Sequence, residues 1–339
     1  MKVLLINLNV GSAIEYVGNV IKGWIQELPV EFIEYKEQTK ETMTIDFLIK
    51  EKPNVIIINE TYPRIICPVL YYKKFNHNTK IILFIHSHKS LEPLGLNIHP
   101  HLLNENMKLR DLKNLCEVVY ILDGKKTDIK GDSNIIEKFC PSEPEIFYNE
   151  IDWINRPNLF CIIGGIYPLK ISKEFLQKIQ LTDLKFDIYG PIMEKFFPAD
   201  REYGNLLETA FNKNFNYKGV IQQKEVGKIL NQYKYCIFPH HGTETFFMML
   251  QQAIMCGTLP IVLNDLNSKV YDGHWIDWAD NLYLGCDNIE NFISNLNGLT
   301  IDKTDYINIS QFISIEINKK FDYQIFKKKF QDIISCIKN

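Results

Sequence analysis

The sequence predicts an α/β protein built from two doubly wound domains, and three observations carry that expectation. Short apolar runs alternate with amphipathic segments along the whole chain, the pattern of βαβ units and parallel sheets. The runs are continuously apolar instead of alternating, as strands are when helices cover both faces of a sheet. At 339 residues the chain also exceeds the size at which a single core usually stops growing, so two domains are expected.

In the first half the strands are expected at 3–8 (VLLINL), 54–59 (NVIIIN), 80–86 (KIILFIH), 118–122 (VVYIL) and 145–148 (EIFY). Helical periodicity appears at about 13–27, 44–51 and 103–115. The second half repeats the scheme, with strands at 159–165, 184–190, 217–220, 235–240 and 259–264. Helices are expected near 171–180, 202–212, 223–233 and 245–256. Between the halves, CPSEPEIFYNEIDWINRPN carries three prolines and no helical period. The domains are accordingly placed at 1–153 and 154–318, with a terminal helix in 319–339 whose apolar stripe runs through 325, 326, 330, 333, 334 and 337.

The composition fits packed cores with a solvated surface: 46% hydrophobic, 12% aromatic and 23% charged residues. A net charge of -3 argues against a nucleic-acid binder held by phosphate contacts. The basic clusters Lys73-Lys74, Lys108 with Arg110 and Lys113, and Lys125-Lys126 read as solvated faces, with an anionic ligand or a membrane surface as the alternative. The eight cysteines contain no C-x-x-C pair and sit mostly in apolar runs, as buried thiols of a reducing compartment do. The first strand begins at residue 2, and no apolar run approaches the ~18 residues of a membrane span, so a cytoplasmic protein is expected.

Open parallel sheets bind ligands at the carboxyl ends of their strands, at a topological switch point, so strand-end motifs matter most and the expected site is a cleft between two such domains. The strand-loop-helix YCIFPHHGTETFFMMLQQAIMCG stands out. Its loop holds Gly242 and Glu244, and the first-turn amides of Thr245, Phe246 and Phe247 form a ready anion site for a phosphate or diphosphate. Glu244 reads either as a helix cap or as an acceptor for ligand hydroxyls. Gln252, inside an otherwise apolar helix, reads either as a core hydrogen bond or as a ligand contact. Gly11, in the loop after the first strand, allows close backbone approach or serves only its turn. His86, at a strand end, suits sugar hydroxyls or proton transfer, with His88 as the alternative register and a structural role as the plain reading.

The block from Pro239 to Ile261 resembles the hallmark of retaining GT-B glycosyltransferases of the family-4 type, P-S-x-x-E-G-F-G-x-x-x-x-E-A-M-A-x-G-x-P-V. Glu244 falls on the first glutamate and Gln252 on the second; Ala253, Gly257, Pro260 and Ile261 follow in order. FNYKGVIQQKEVGKIL resembles the family's glycine loop beside the nucleotide base, with Gly219, Val220 and Glu225 in place, and FDIYGP supplies the strand-end Gly190. CIIGGIYPLKI resembles the segment whose arginine and lysine hold the diphosphate: Lys170 matches the lysine, and Gly165 stands where the arginine belongs. In YNEID, Asn149 and Asp152 match the family's linker.

The resemblance implies two Rossmann-like domains facing across a cleft, acceptor side first and nucleotide-sugar side second, with the terminal helix packing back on the first. It implies transfer of a sugar from a nucleoside diphosphate sugar, a UDP- or GDP-sugar, to an acceptor hydroxyl with retention. Glu244 would orient the sugar, His86 would serve its acceptor side, and Lys170 with the loop amides would stabilise the departing diphosphate. The acceptor would be a saccharide or a lipid-linked saccharide, the latter with peripheral membrane contact. No D-x-D closes a strand, so no metal and no further cofactor are implied. Two alternatives stay open: a non-catalytic nucleotide-sugar-binding protein, motivated by Gln252 and Gly165, and a nucleotide-sugar epimerase on the same framework. The missing G-x-G-x-x-G after the first strand argues against a third reading, a nicotinamide oxidoreductase.

Overall fold

The structure is a computed structural model that describes residues 1–8, 13–37, 43–59, 63–85, 115–121, 135–137, 142–168, 170–192, 201–239, 248–263, 284–286, 288–299 and 322–337. The chain divides into two compact units, 1–141 with 321–339, and 142–320. Each unit, among the described residues, has a six-stranded, all-parallel sheet flanked by helices.

In the first unit the strands are β1 (Lys2–Leu8), β2 (Glu31–Glu37), β3 (Val55–Ile58), β4 (Lys80–Ile85), β5 (Val118–Ile121) and β6 (Ile135–Glu137). Their spatial order is β2-β1-β3-β4-β5-β6. The chain moves outward from β1 to β2 and then returns past β1 to β3, which puts the switch point between β1 and β3. Helices α1 (Ala13–Gln26), α2 (Ile45–Glu51) and α3 (Pro63–Phe75) fill the connections. Leu4, Ile6, Ile56, Ile58, Ile81 and Leu83 turn one sheet face toward Leu48 of α2 and Ile65, Ile66 and Val69 of α3. On the other face Phe84 and Tyr120 stack at 4.5 Å and meet Phe330 of the terminal helix. That helix spans Tyr323–Ile337 and is tied to α1: Trp24 Nε1 donates to the Tyr323 hydroxyl at 2.7 Å, and Lys327 pairs with Glu27 at 2.6 Å.

The second unit carries β7 (Phe160–Ile163), β8 (Phe186–Tyr189), β9 (Phe215–Gly219), β10 (Tyr235–Phe238), β11 (Leu259–Leu263) and β12 (Leu284–Cys286). Their order is β12-β11-β10-β7-β8-β9. The chain winds from β7 out to β9 and crosses back to β10, so the switch point lies between β7 and β10. The described helices are α4 (Lys173–Ile179), α5 (Arg201–Lys213), α6 (Gln223–Leu230), α7 (Met248–Met255) and α8 (Ile289–Gly298), and the terminal helix is α9. Strand cores are apolar throughout: every residue of β7, β10 and β11 is buried.

Several elements differ from the sequence expectation. EIFY at 145–148 is no strand: Ile146 and Phe147 both donate from their backbone to the Glu143 carbonyl, at 3.0 and 2.9 Å, folding the segment into a turn. That turn buries Phe147 beside Gly227 of α6. The second unit begins at Ser142, ahead of the boundary placed at 153/154, because the linker is bonded into it: Asn231 Oδ1 accepts from Glu150 N at 2.8 Å, and Arg156 reaches Tyr233 and Cys256. Strand β2 is an addition; its alternation EFIEYKE suits a half-exposed sheet edge instead of a two-sided core. Helix α3 is another, masked in the sequence by Pro63 and by Pro68 inside it. The helix expected at 103–115 lies outside the described residues except for Leu115.

Candidate functional site

The switch point of the second unit gathers the carboxyl ends of β7 and β10. Strand β10 ends at Phe238 and Pro239; the next residues, 240–247, with Gly242, Glu244, Thr245, Phe246 and Phe247, lie outside the described residues, as do Gly11 and His86. What the structure describes is the neighbouring wall, formed by β7, β8, β9 and the helices that follow them.

That wall is a row of backbone. Gly164 follows β7, Gly190 follows β8 and Gly219 ends β9, all three with positive φ, at 142°, 134° and 87°. They are joined laterally: Gly164 N donates to the Tyr189 carbonyl at 2.9 Å, and Gly190 N donates to the Gly219 carbonyl at 2.9 Å. A Cβ on Gly190 would run into the Gly164 carbonyl, so only glycine allows the two strand ends to meet. Tyr217 closes the row by donating to the Gly190 carbonyl at 2.9 Å.

Lys170 lies by Gly164, at one end of this row. The chain turns back after β7, with Lys170 N and Ile171 N both donating to the Tyr167 carbonyl at 2.9 and 3.0 Å. The turn folds the side chain back, leaving the ammonium 3.5 Å from where a Cβ on Gly164 would stand. Lys170 is half-buried. The cation is thus held at the carboxyl end of β7, next to the strand from which the loop of Glu244 departs.

Gln252 is buried, with 1% of its surface exposed. Its Oε1 accepts from Gln223 Nε2 at 3.4 Å, while its own Nε2 is buried with no partner among the described residues. A buried N–H left empty costs about 1–3 kcal/mol, and such an exception calls for an explanation. The adjacent Gln251 takes a structural role, accepting from Ser142 Oγ at 3.2 Å. Gln223 heads α6 just past Gly219 and Val220; Val220 is 67% exposed. Glu225 caps that helix, its Oε2 accepting from Gln222 N at 3.1 Å.

Asn149 and Asp152 do not join this group. Asn149 accepts from Arg156 at 2.7 Å and packs against Gly257, and Asp152 caps the short 3-10 turn Trp153–Asn155 by accepting from Ile154 N. Both stand near the amino ends of the strands, away from the glycine row. A second buried chain crosses the unit: Tyr233 donates to Asp187 Oδ2 at 2.6 Å and meets the Tyr189 hydroxyl at 2.7 Å. Burial, reinforced by these bonds, raises the Tyr233 phenol above its ordinary range. In the first unit, the carboxyl ends of β1 and β3 share a buried amide pair: Asn59 Nδ2 donates to Asn7 Oδ1 at 3.0 Å and to the Ile14 carbonyl at 2.7 Å. Gly164, Gln223 and this Asn7–Asn59 pair were not singled out from sequence; for Gly164 a signal existed, since the doubled glycine of CIIGG closes a strand. Among the described residues no cluster of His, Cys, Asp and Glu has the makings of a metal site, and no helix is long and apolar enough to cross a membrane.

No protein-family model matches the chain, and comparison with curated protein sequences gives no match. Solved structures do match. HepE from Anabaena, in complex with UDP, shares the architecture with a TM-score of 0.68 and 9% identity, over 99% of this chain and all of that one. Sucrose-phosphate synthase from Thermosynechococcus elongatus gives 0.68 at 11% identity, over 99% of both chains. UDP-GlcNAc 2-epimerase from Methanocaldococcus jannaschii gives 0.51 at 11% identity, over 90% of this chain and 94% of that one. The chain therefore has the GT-B fold that these solved structures share.

Proposed function

We propose that the protein is a glycosyltransferase that moves a sugar from a nucleoside diphosphate sugar to an acceptor hydroxyl, with retention and without a metal ion. The observation that carries the reading is the place of Lys170: its ammonium lies by Gly164 at the carboxyl end of β7, one of the two strands of the switch point, where open α/β sheets take their ligands. A diphosphate needs a cation there when the glycosidic bond breaks, because charge develops on its bridging oxygen. The glycine row offers a side-chain-free surface against which a nucleotide can lie. Gln252 offers a buried amide hydrogen awaiting an acceptor, which a ribose oxygen supplies.

In this reading Glu244 orients the donor sugar, the amides of Thr245, Phe246 and Phe247 help hold the diphosphate, and His86 assists at the acceptor hydroxyl. The acceptor attacks from the side the diphosphate leaves, and the departing phosphate oxygen takes its proton, so no carboxylate nucleophile is required. The donor is a UDP- or GDP-sugar and no further cofactor takes part; HepE, of like fold, is known in complexes with UDP and with UDP-glucose, which favours uridine. The acceptor is a saccharide or a lipid-linked saccharide, the latter met at a membrane surface.

The test is incubation of the full chain with a panel of nucleotide sugars, reading released nucleotide and transferred sugar. Slow donor hydrolysis that vanishes in Glu244→Ala supports the reading; near-normal turnover in that variant sinks the assignment of Glu244. A second reading is favoured by the likeness to the UDP-GlcNAc 2-epimerase. It expects an altered donor sugar and little free nucleotide. Tight binding with neither product marks a binding protein.

A further inference from the structure

We infer that Gln223 is a positioning residue: by holding Gln252 Oε1 it turns the Gln252 amide so that its N–H faces the ligand, making this corner of the site a hydrogen-bond donor to a ribose oxygen. The inference rests on the nucleotide-sugar reading above and adds to it the sense of the contact and the residue that sets it.

The two amides meet at 3.4 Å, Gln223 Nε2 donating to Gln252 Oε1. An amide has one oxygen and one nitrogen, so a tied oxygen fixes where the nitrogen points. The Gln252 nitrogen then stands buried and without a protein acceptor among the described residues, in a residue only 1% exposed. Gln251, one position earlier and as deeply buried, has its oxygen on Ser142 and no unpartnered buried nitrogen, so the helix does satisfy an interior amide where no ligand is to be met. Gln223 itself is the first residue of α6, which enters just past the positive-φ Gly219 at the carboxyl end of β9, so the pair stands on the ligand side of the sheet.

A carboxylate at position 252 would accept from a sugar hydroxyl. The anchored amide inverts that contact and places no negative charge near the diphosphate. The ligand group it fits is an sp³ oxygen that accepts, and the 2′- and 3′-oxygens of a ribose are of that kind.

The experiment uses the full chain and isothermal calorimetry. Whichever of UDP, GDP and ADP binds tightest is compared with its 2′,3′-dideoxy form, and the ratio of the two affinities is read for each variant. The native chain is expected to favour the ribonucleotide about tenfold or more. Gln252→Leu brings the ratio near one. Gln223→Leu, which frees the amide, and Gln223→Glu, which captures its N–H, both lower the ratio to about threefold or less. Gln223→Lys still donates to Oε1 and keeps the native ratio, and its added charge acts on both nucleotides alike. Gln223 is half-exposed in a helix's first turn, so these variants are expected to fold, and melting curves check that. A native chain that binds none of the three nucleotides overturns the nucleotide-sugar reading and this inference with it. A native chain that binds but shows no ribose preference, or Gln223→Leu and Gln223→Glu chains that keep the full ratio, overturn only the role of Gln223. So does equal loss in all three Gln223 variants, the mark of a purely structural contact.

Discussion

The guanidinium of Arg156 donates to the carbonyl oxygen of Cys256 at 2.6 Å, so a cation from the linker closes the carboxyl end of α7, the helix that carries Gln252. The same group also serves the carbonyls of Ile151 and Tyr233 and the side chains of Asn149, Asn231 and Thr258, at 2.7 to 3.1 Å. A helix carboxyl end favours a cation, and a buried guanidinium is tolerated when its donors are all engaged. Arg156→Ala strands several buried acceptors at once and is expected to cost about 3–5 kcal/mol. In thermal denaturation the second unit should melt roughly 10 °C lower. Arg156→Lys should recover little, because an ammonium lacks the planar fork. An unchanged melting temperature for Arg156→Ala would contradict the account.

Gly190 is the tightest point of the glycine row. At φ 134° an L side chain is strained, and a methyl group there would overlap the Gly164 carbonyl. Gly190→Ala is therefore expected to lose at least about 2 kcal/mol, from backbone strain and overpacking together. Because Gly164 must shift with it, nucleotide affinity should fall as well. Urea denaturation and calorimetry on one preparation check both; a variant as stable as the native chain would show that the two strand ends separate without cost.

The architecture was legible because buried parallel strands advertise themselves: FCII, YCIF and LPIVL are continuous apolar runs and lie in the middle of the second sheet. Strand β2 was not, since an edge strand with one wet face alternates as EFIEYKE and looks like surface. EIFY misled for the opposite reason, its β-forming residues serving a turn that buries Phe147 against Gly227. Within the candidate site, Lys170 and Gly190 were singled out only through the resemblance of CIIGGIYPLKI and FDIYGP to a family pattern. Gln223 was not, because a glutamine at the head of an amphipathic helix carries no sign of its partner 29 positions away. The bonds of Arg156 to Tyr233, Thr258, Asn231 and Cys256 are likewise tertiary, and the sequence around it reads only as a linker.

Alkaline stability follows from the buried thiols. Burial pushes Cys116 in the first unit and Cys256 in the second up to about 12, from an ordinary value of 9.0. A raised folded-state value means that the folded chain keeps its proton while the unfolded chain releases it. The contribution is complete below about pH 9 and is lost as pH rises toward 12. Each such thiol steepens the decline by up to about 1.4 kcal/mol per pH unit across that window. Cys256→Ala should flatten the loss of stability between pH 9 and 11 relative to the native chain, as read from urea midpoints. Parallel curves for the two proteins would show that the thiol does not resist ionisation.

Lys170 over Gly164 is the relationship on which the catalytic reading turns. The backbone bonds of Lys170 and Ile171 to the Tyr167 carbonyl and the absence of a side chain at Gly164 let the ammonium stand at the end of β7 without a ligand. A cation that meets charge developing on a leaving diphosphate contributes more to the transition state than to the ground state. Lys170→Met keeps most of the side chain's volume and removes the charge. Turnover should fall by about 10²–10³-fold while KM for the nucleotide sugar changes much less. Melting should stay within a few degrees, as Lys170 is half-buried at the unit's surface. The split between kcat and KM separates this role from simple donor binding: a loss concentrated in kcat supports it, whereas a loss confined to KM assigns Lys170 to ground-state affinity. Turnover within threefold of the native rate would remove Lys170 from the mechanism.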